Sequence, residues 1–222
     1  MRVGLFGGTF NPIHNGHLMV ARCVLAHCSL DRLYIVPCRT PPHKSPANLA
    51  PTDHRLRMIA LALPDDDRYR LSTMEIDRPG PSYTVDTAAA FARQITPGAA
   101  LFLLMGLDAF LEFHTWKDYR RLLTLVQPVV VSRDVGQGPT SDGESEQLDT
   151  YIRSRLGADY RYDAAGPCWQ AGDGRTTIHL LATAPLAVSS SAVRRRLRQG
   201  KSAAALVPAA VSAYIEQKEL YR

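Results

Sequence analysis

Apolar and polar positions fall into blocks that alternate between two periods along the chain. Val3, Leu5 and Phe6 form a short apolar run that predicts a strand over 2–7, broken at Gly7-Gly8. Leu18, Val20, Ala21, Val24, Leu25 and Cys28 recur at helical spacing and predict a helix over 15–28. Arg32 to Pro37 reads as a second strand, stopped by its proline. Leu56, Met58, Ile59 and Leu63 give one face of a helix over 53–63, with Thr52 as its N-cap. A third strand over 70–76 and a helix over 84–95 follow. Residues 99–105 are apolar throughout, as in a central parallel strand, and 128–132 make a fifth strand. Two short helical segments flank Trp116.

Strands that alternate with amphipathic helices predict an α/β fold with a doubly wound parallel sheet. The reading is a single domain over 1–222. The composition changes between 134 and 175, where glycines punctuate a polar stretch with one helical piece at 145–156. This reads as a variable insert packed on the sheet edge, partly mobile. Residues 177–181 form the last strand. The part from 182 to 222 is helical, with helices over 189–199 and 207–220 and Pro208 in the first turn of the second. Ligands of such sheets sit beyond the carboxyl ends of the strands. Gly7-Gly8, the loop from Pro37 to Lys44, Gly106 to Asp108, and Arg133 all fall at expected strand ends.

Composition narrows the classes. The chain has 222 residues, 45% of them hydrophobic, enough for a substantial core. The net charge is +5. No basic run is interleaved with aromatics, so no nucleic-acid partner is expected; a polyphosphate site also gathers Lys and Arg. The four cysteines form no CxxC pair, which favours reduced thiols over a zinc knuckle or disulfide framework. No signal sequence or apolar stretch of membrane-spanning length occurs, and the expectation is a cytoplasmic protein without a membrane partner.

A strand, a glycine loop and a helix together aim backbone N–H groups at an anion. In Gly7-Gly8-Thr9-Phe10-Asn11-Pro12 the glycines let a phosphate approach the main chain. His14 and His17 are spaced to face one ligand, although a metal pair or partnered structural histidines would show the same spacing. Ser189, Ser190 and Ser191 open a helix that carries Arg194. Their hydroxyls can cap it and also reach an anion. His43 and Lys44 lie in a loop where a cation can meet polyphosphate, or simply face solvent. Gly200-Lys201-Ser202 only superficially ends like a P-loop: Arg195 stands where that motif needs glycine, and a helix precedes it.

Gly-Gly-Thr-Phe-Asn-Pro with His14-x-Gly-His17 resembles the signature of the (T/H)xGH nucleotidyltransferase superfamily. Val188–Arg194 resembles its ISSTxxR motif. That resemblance implies a Rossmann-like sheet. It also implies ATP contacts from Gly7, Gly8, Thr9, Phe10, Gly106, Asp108, Ser189, Ser190, Ser191 and Arg133. His14, His17, Lys44 and Arg194 would be the catalytic groups. Arg133 is followed by Asp-Val-Gly where the family has Pro-Gly, so its loop departs from the pattern. Pro81-Ser82-Tyr83-Thr84 and Thr115-Trp116 resemble the bacterial nicotinate mononucleotide adenylyltransferases. There Trp116 would stack on the pyridine ring. Thr84 and the main-chain N–H groups of Val85 and Lys117 would meet its carboxylate. Asn11, His43, Arg55, Ser82 and Tyr83 complete the acceptor set implied by the resemblance. Asp108 would bond a ribose hydroxyl, or cap the following helix, or both.

The implied reaction is adenylyl transfer from ATP to nicotinate mononucleotide, giving deamido-NAD and pyrophosphate without a covalent enzyme intermediate. Mg²⁺ would be held mainly by substrate phosphates, and no residue is assigned as a metal ligand. Rivals within the superfamily are transfer to nicotinamide mononucleotide or to phosphopantetheine. A nucleotide-binding regulator without catalysis is the rival from another class. A homo-oligomer is left open.

Overall fold

A computed structural model describes residues 1–39, 49–132, 142–183 and 188–222. His43, Lys44 and Arg133 lie outside the described residues. An eight-stranded sheet in the order β3-β2-β1-β4-β5-β8-β7-β6 forms the centre. Its strands are β1 (Arg2–Gly8), β2 (Arg32–Pro37), β3 (Tyr69–Leu71), β4 (Ala100–Gly106), β5 (Gln127–Ser132), β6 (Arg161–Asp163), β7 (Cys168–Gln170) and β8 (Thr177–Ala182). Six of these pair in parallel, and β6 and β7 add an antiparallel hairpin beside β8. The chain steps from β1 to β2 on one side and returns to β4 on the other. This is the switch point where such sheets open a crevice.

The strand faces explain the layering. Leu5, Leu101, Leu103, Met105 and Val130 are buried against one helical layer. It contains α4 (Thr84–Gln94), α5 (Leu107–Leu111) and α6 (Tyr119–Leu125). Phe102, Leu104, Val129 and Val131 alternate with them and pack on α1 (Asn15–His27). A third cluster joins Phe10, Ile13 and Ile35 to α2 (Thr52–Ala62), α8 (Ser190–Arg198) and α9 (Ala209–Gln217). The remaining α-helices among the described residues are α3 (Met74–Asp77) and α7 (Asp142–Tyr151), with a 3-10 turn at Phe113–Thr115 and a π-helical turn at Ile152–Leu156.

Several sequence expectations change. The first strand does not break at Gly7-Gly8: Gly7 pairs with Val36 and Gly8 with Pro37. The left-handed turn falls instead on Phe10, at φ 49°. The third strand is shorter than 70–76. It ends at Leu71, and Met74–Asp77 turns into α3, where Glu75 is buried and accepts a hydrogen bond from Thr87 Oγ1 at 2.8 Å. A buried carboxylate has a partner there that a strand would not give it. Pro51, not Thr52, is the N-cap residue of α2. Pro208 stands just before α9 rather than inside its first turn. The insert supplies sheet and core that its polar composition hid. Leu148, Tyr151, Ile152, Tyr160 and Trp169 are all buried, and Trp169 Nε1 donates to Asp149 Oδ1 at 2.9 Å.

Candidate active site

In a parallel sheet the helices run back against the strands, so the N-termini of α1, α4, α5 and α8 gather at one edge. That edge holds the carboxyl ends of β1, β4 and β5. The turn after β1 is built first. Phe10 is 2% exposed and lies edge-on to His17, with ring centroids 5.0 Å apart. The Asn11–Pro12 bond is cis. His14 is the N-cap residue of α1, and its ring stacks on His17 at 3.7 Å with 22° between planes. The backbone N–H of His14 donates to His17 Nδ1 at 3.2 Å. A neutral imidazole that accepts at Nδ1 carries its proton on Nε2. The other ring nitrogen of His17 is thereby set as a donor.

The α8 region closes on the same turn. A Cβ on Gly16 would lie 2.9 Å from Val188 Cγ1 and 3.1 Å from His14 Nδ1, so only glycine lets the start of α8 sit this close. Each serine has a separate partner. Ser189 Oγ accepts from the Ala192 N–H at 3.1 Å and caps the helix. Ser190 Oγ donates to the Pro12 carbonyl at 2.9 Å. Ser191 Oγ accepts from Arg194 at 3.2 Å. Arg194 also donates to the Asn11 carbonyl at 2.8 Å, and burial lowers its pKa from the usual guanidinium value. Arg195, Arg196 and Arg198 are exposed, as expected of surplus charge.

Arg55 lies where the resemblance placed an acceptor-binding residue, yet it is fully buried. Its Nε donates to the Ala50 carbonyl. One terminal nitrogen donates to the carbonyls of Thr9 and Cys38, and the other to the Arg39 carbonyl and Thr52 Oγ1. A guanidinium has five N–H groups. Here these five bonds use them all, so Arg55 ties together the turn after β1, the end of β2 and the entry to α2.

A second group of residues assembles around the start of α4. Thr84 and Val85 are its first two residues, whose N–H groups have no acceptor within the helix. Trp116 is half-buried and rests on Phe113 with centroids 5.2 Å apart. Lys117 reaches back to Asp86 at 3.4 Å and lies 4.1 Å above the Tyr83 ring. The Pro81–Thr84 and Thr115–Trp116 segments are thus brought together. Ser82 Oγ is buried without a hydrogen-bond partner. Gly106 and Asp108 are exposed at the end of β4. The N-cap position of α5 belongs to Gly106, so Asp108 does not serve as the cap.

Two contributors escaped the sequence reading. Tyr151 Oη accepts from the His114 N–H at 3.0 Å and so holds the loop before Trp116. Tyr221 donates to Asn11 Oδ1 at 2.8 Å. Tyr221 lies in the Ala213–Arg222 ending, which is family-like but carries no site assignment, and nothing in the spacing of either tyrosine signals a contact so distant in sequence.

The profile of the Cytidylyltransferase-like family matches residues 5–196. The chain belongs to that family. A protein of Desulfatibacillum aliphaticivorans named probable nicotinate-nucleotide adenylyltransferase is 39% identical over 221 residues, covering 100% of each chain. A protein of the same name from Methylococcus capsulatus is 40% identical, covering 99% of each. Among solved structures, the Plasmodium falciparum nicotinic acid mononucleotide adenylyltransferase complexed with NaAD has a TM-score of 0.71 at 16% identity. It covers 99% of this chain and 97% of its own, and at that identity it supports the fold. The insert that departs in composition therefore lies inside a full-length match to the curated relatives.

Proposed function

We propose that this protein transfers the adenylyl group of ATP to nicotinate mononucleotide, releasing pyrophosphate and forming deamido-NAD. The observation that carries the reading is the stacked His14–His17 pair at the carboxyl end of β1, closed over by the N-terminus of α8. The full-length relatives named for this activity support it.

The 5′-phosphate oxygen of nicotinate mononucleotide attacks the α-phosphorus of ATP, and the bond to the β,γ-diphosphate breaks. A phosphate monoester is already an adequate nucleophile, so no protein nucleophile is required. The protein's task is positioning and charge stabilisation. The exposed Gly7 has open space where a Cβ would stand, and there a phosphate can approach the backbone. His14, with His17 through its Nε2–H, donates to the triphosphate as charge moves onto the leaving group. Arg194 and the first N–H groups of α8 hold the same polyphosphate. Lys44 and Arg133 would add charge. Thr9 and Phe10 shape the floor beneath the triphosphate. Asp108 would take a ribose hydroxyl.

For the acceptor, Trp116 offers an aromatic face to the electron-poor pyridine ring. Thr84 and the N–H groups of Val85 and Lys117 receive its carboxylate. Ser82, Tyr83 and Asn11 line the acceptor side, and His43 would add to it. Arg55 acts indirectly, by fixing the Thr9 carbonyl. The site's donors are imidazoles, hydroxyls, guanidinium and N–H groups, which suit anionic oxygens. Among the described residues no cluster of three His, Cys, Asp or Glu is arranged to hold a metal. Mg²⁺ carried on the substrate phosphates would supply screening of the charge on the departing pyrophosphate. All four cysteines are free thiols, which suits a reducing cytoplasm. Among the described residues no helix is long and apolar enough to cross a membrane.

The test is product identification. ATP and nicotinate mononucleotide should give deamido-NAD by mass, with one pyrophosphate for each dinucleotide. Hydrolysis of ATP without dinucleotide would refute the reading.

A further inference from the structure

We infer that Tyr221 is a positioning residue for the nucleotide site, acting through the side-chain amide of Asn11; this rests on the adenylyl-transfer reading above. The two residues are 210 positions apart, yet Tyr221 Oη donates to Asn11 Oδ1 at 2.8 Å. The Ala50 N–H donates to the same oxygen at 3.0 Å. An amide whose oxygen receives two donors has its orientation fixed, and its NH₂ group is turned to the opposite side. Arg194 meanwhile holds the Asn11 carbonyl at 2.8 Å. Asn11 is only 5% exposed, so little room is left for another arrangement.

Tyr221 is itself held firmly. The backbone reaches it through left-handed conformations at Glu219 (φ 50°) and Tyr221 (φ 66°), which non-glycine residues adopt at a cost. The Leu220 N–H between them donates to the Ile215 carbonyl at 3.1 Å, and Leu220 and Tyr221 pack on the cluster of α2, α8 and α9. Burial pushes the Tyr221 phenol well above its ordinary pKa, so it stays an O–H donor. The aim of the Asn11 NH₂ group within the site is thus set from the far end of the chain.

The test is Tyr221→Phe, with Tyr214→Phe as control. Tyr214 lies in the same C-terminal part and bonds His54 Nδ1 at 2.8 Å, outside the site. Tyr221→Phe should raise KM for the mononucleotide about five- to tenfold, as expected for one lost hydrogen bond. KM for ATP and the thermal midpoint should stay near those of Tyr214→Phe. On an Asn11→Ala background the same substitution should add nothing. In the ligand-free protein, the Asn11 side-chain amide resonance should shift or broaden in Tyr221→Phe alone. An unmoved resonance, or equal effects of the two tyrosine variants, overturns the inference. A moved resonance in a protein that makes no dinucleotide would overturn the adenylyl-transfer reading and leave the positioning intact.

Discussion

Arg194 donates a hydrogen bond to the carbonyl of Asn11 at 2.8 Å, joining α8 to the turn after β1 across 183 residues. One side chain therefore both locks the turn and brings positive charge to the place assigned to polyphosphate. Lysine cannot reproduce that fork. Arg194→Lys should lower kcat/KM about tenfold or more while keeping the charge, the loss expected for a hydrogen bond from a charged donor. Steady-state kinetics with ATP varied checks this; near wild-type values would mean that charge alone suffices.

The tautomer of His17 gives a sharper expectation. Its Nδ1 accepts from the His14 N–H, so the proton sits on Nε2. Glutamine places an amide nitrogen near the Nε2 position; alanine places nothing there. His17→Ala should lower kcat on the order of 100-fold, as for removal of one donor to developing charge. His17→Gln should retain more activity than His17→Ala, and neither should move the thermal midpoint greatly. Equal losses in both variants would show that the donor at Nε2 is not what matters.

Arg55 separates stability from chemistry. Arg55→Met removes the donors to the carbonyls of Thr9, Ala50, Cys38 and Arg39 and to the Thr52 hydroxyl, around a guanidinium that is itself fully buried. The cost should be about 3–5 kcal/mol, read as a lowered urea midpoint. A destabilisation under about 1 kcal/mol would be out of line with a buried clamp.

These residues also show how far the chain could be read in advance. The order of β1, α1, β2, α2, α4, β4, β5 and α8 followed from periodicity, because each buries one stripe or face in a regular layer. The placing of Gly7-Gly8, His14, His17 and Ser189–Arg194 near one another was legible because they lie at strand ends and helix starts, where sequence dictates local geometry. The β6–β7 hairpin was missed because a single buried residue, Trp169, anchors β7 amid polar neighbours. Arg55 reads as a ligand-facing cation, and only three-dimensional contacts reveal five internal acceptors. Tyr221 and Tyr151 act over distances in sequence that no pattern encodes.

Acid stability should depend on His179. Burial lowers its pKa from the ordinary 6.5 to about 4, with further lowering from His27 and Arg2, and its Nε2 lies 3.3 Å from Gln127 Oε1. Between those values the unfolded chain binds the proton that the folded protein refuses. Stability therefore rises with pH across this window and is lost as pH falls from 6.5 towards 4, by about 3 kcal/mol at most. His179→Gln should flatten the acid limb of the stability curve in urea titrations. An unchanged limb would assign that loss to other groups.

The most direct measurement is pyrophosphate release with ATP and Mg²⁺, with nicotinate mononucleotide and its nicotinamide analogue compared side by side. Turnover with a strong preference for the acid is expected, because Thr84 and the N–H groups of Val85 and Lys117 would be donors that suit a carboxylate. Release with neither acceptor, or a preference for the amide, would contradict it.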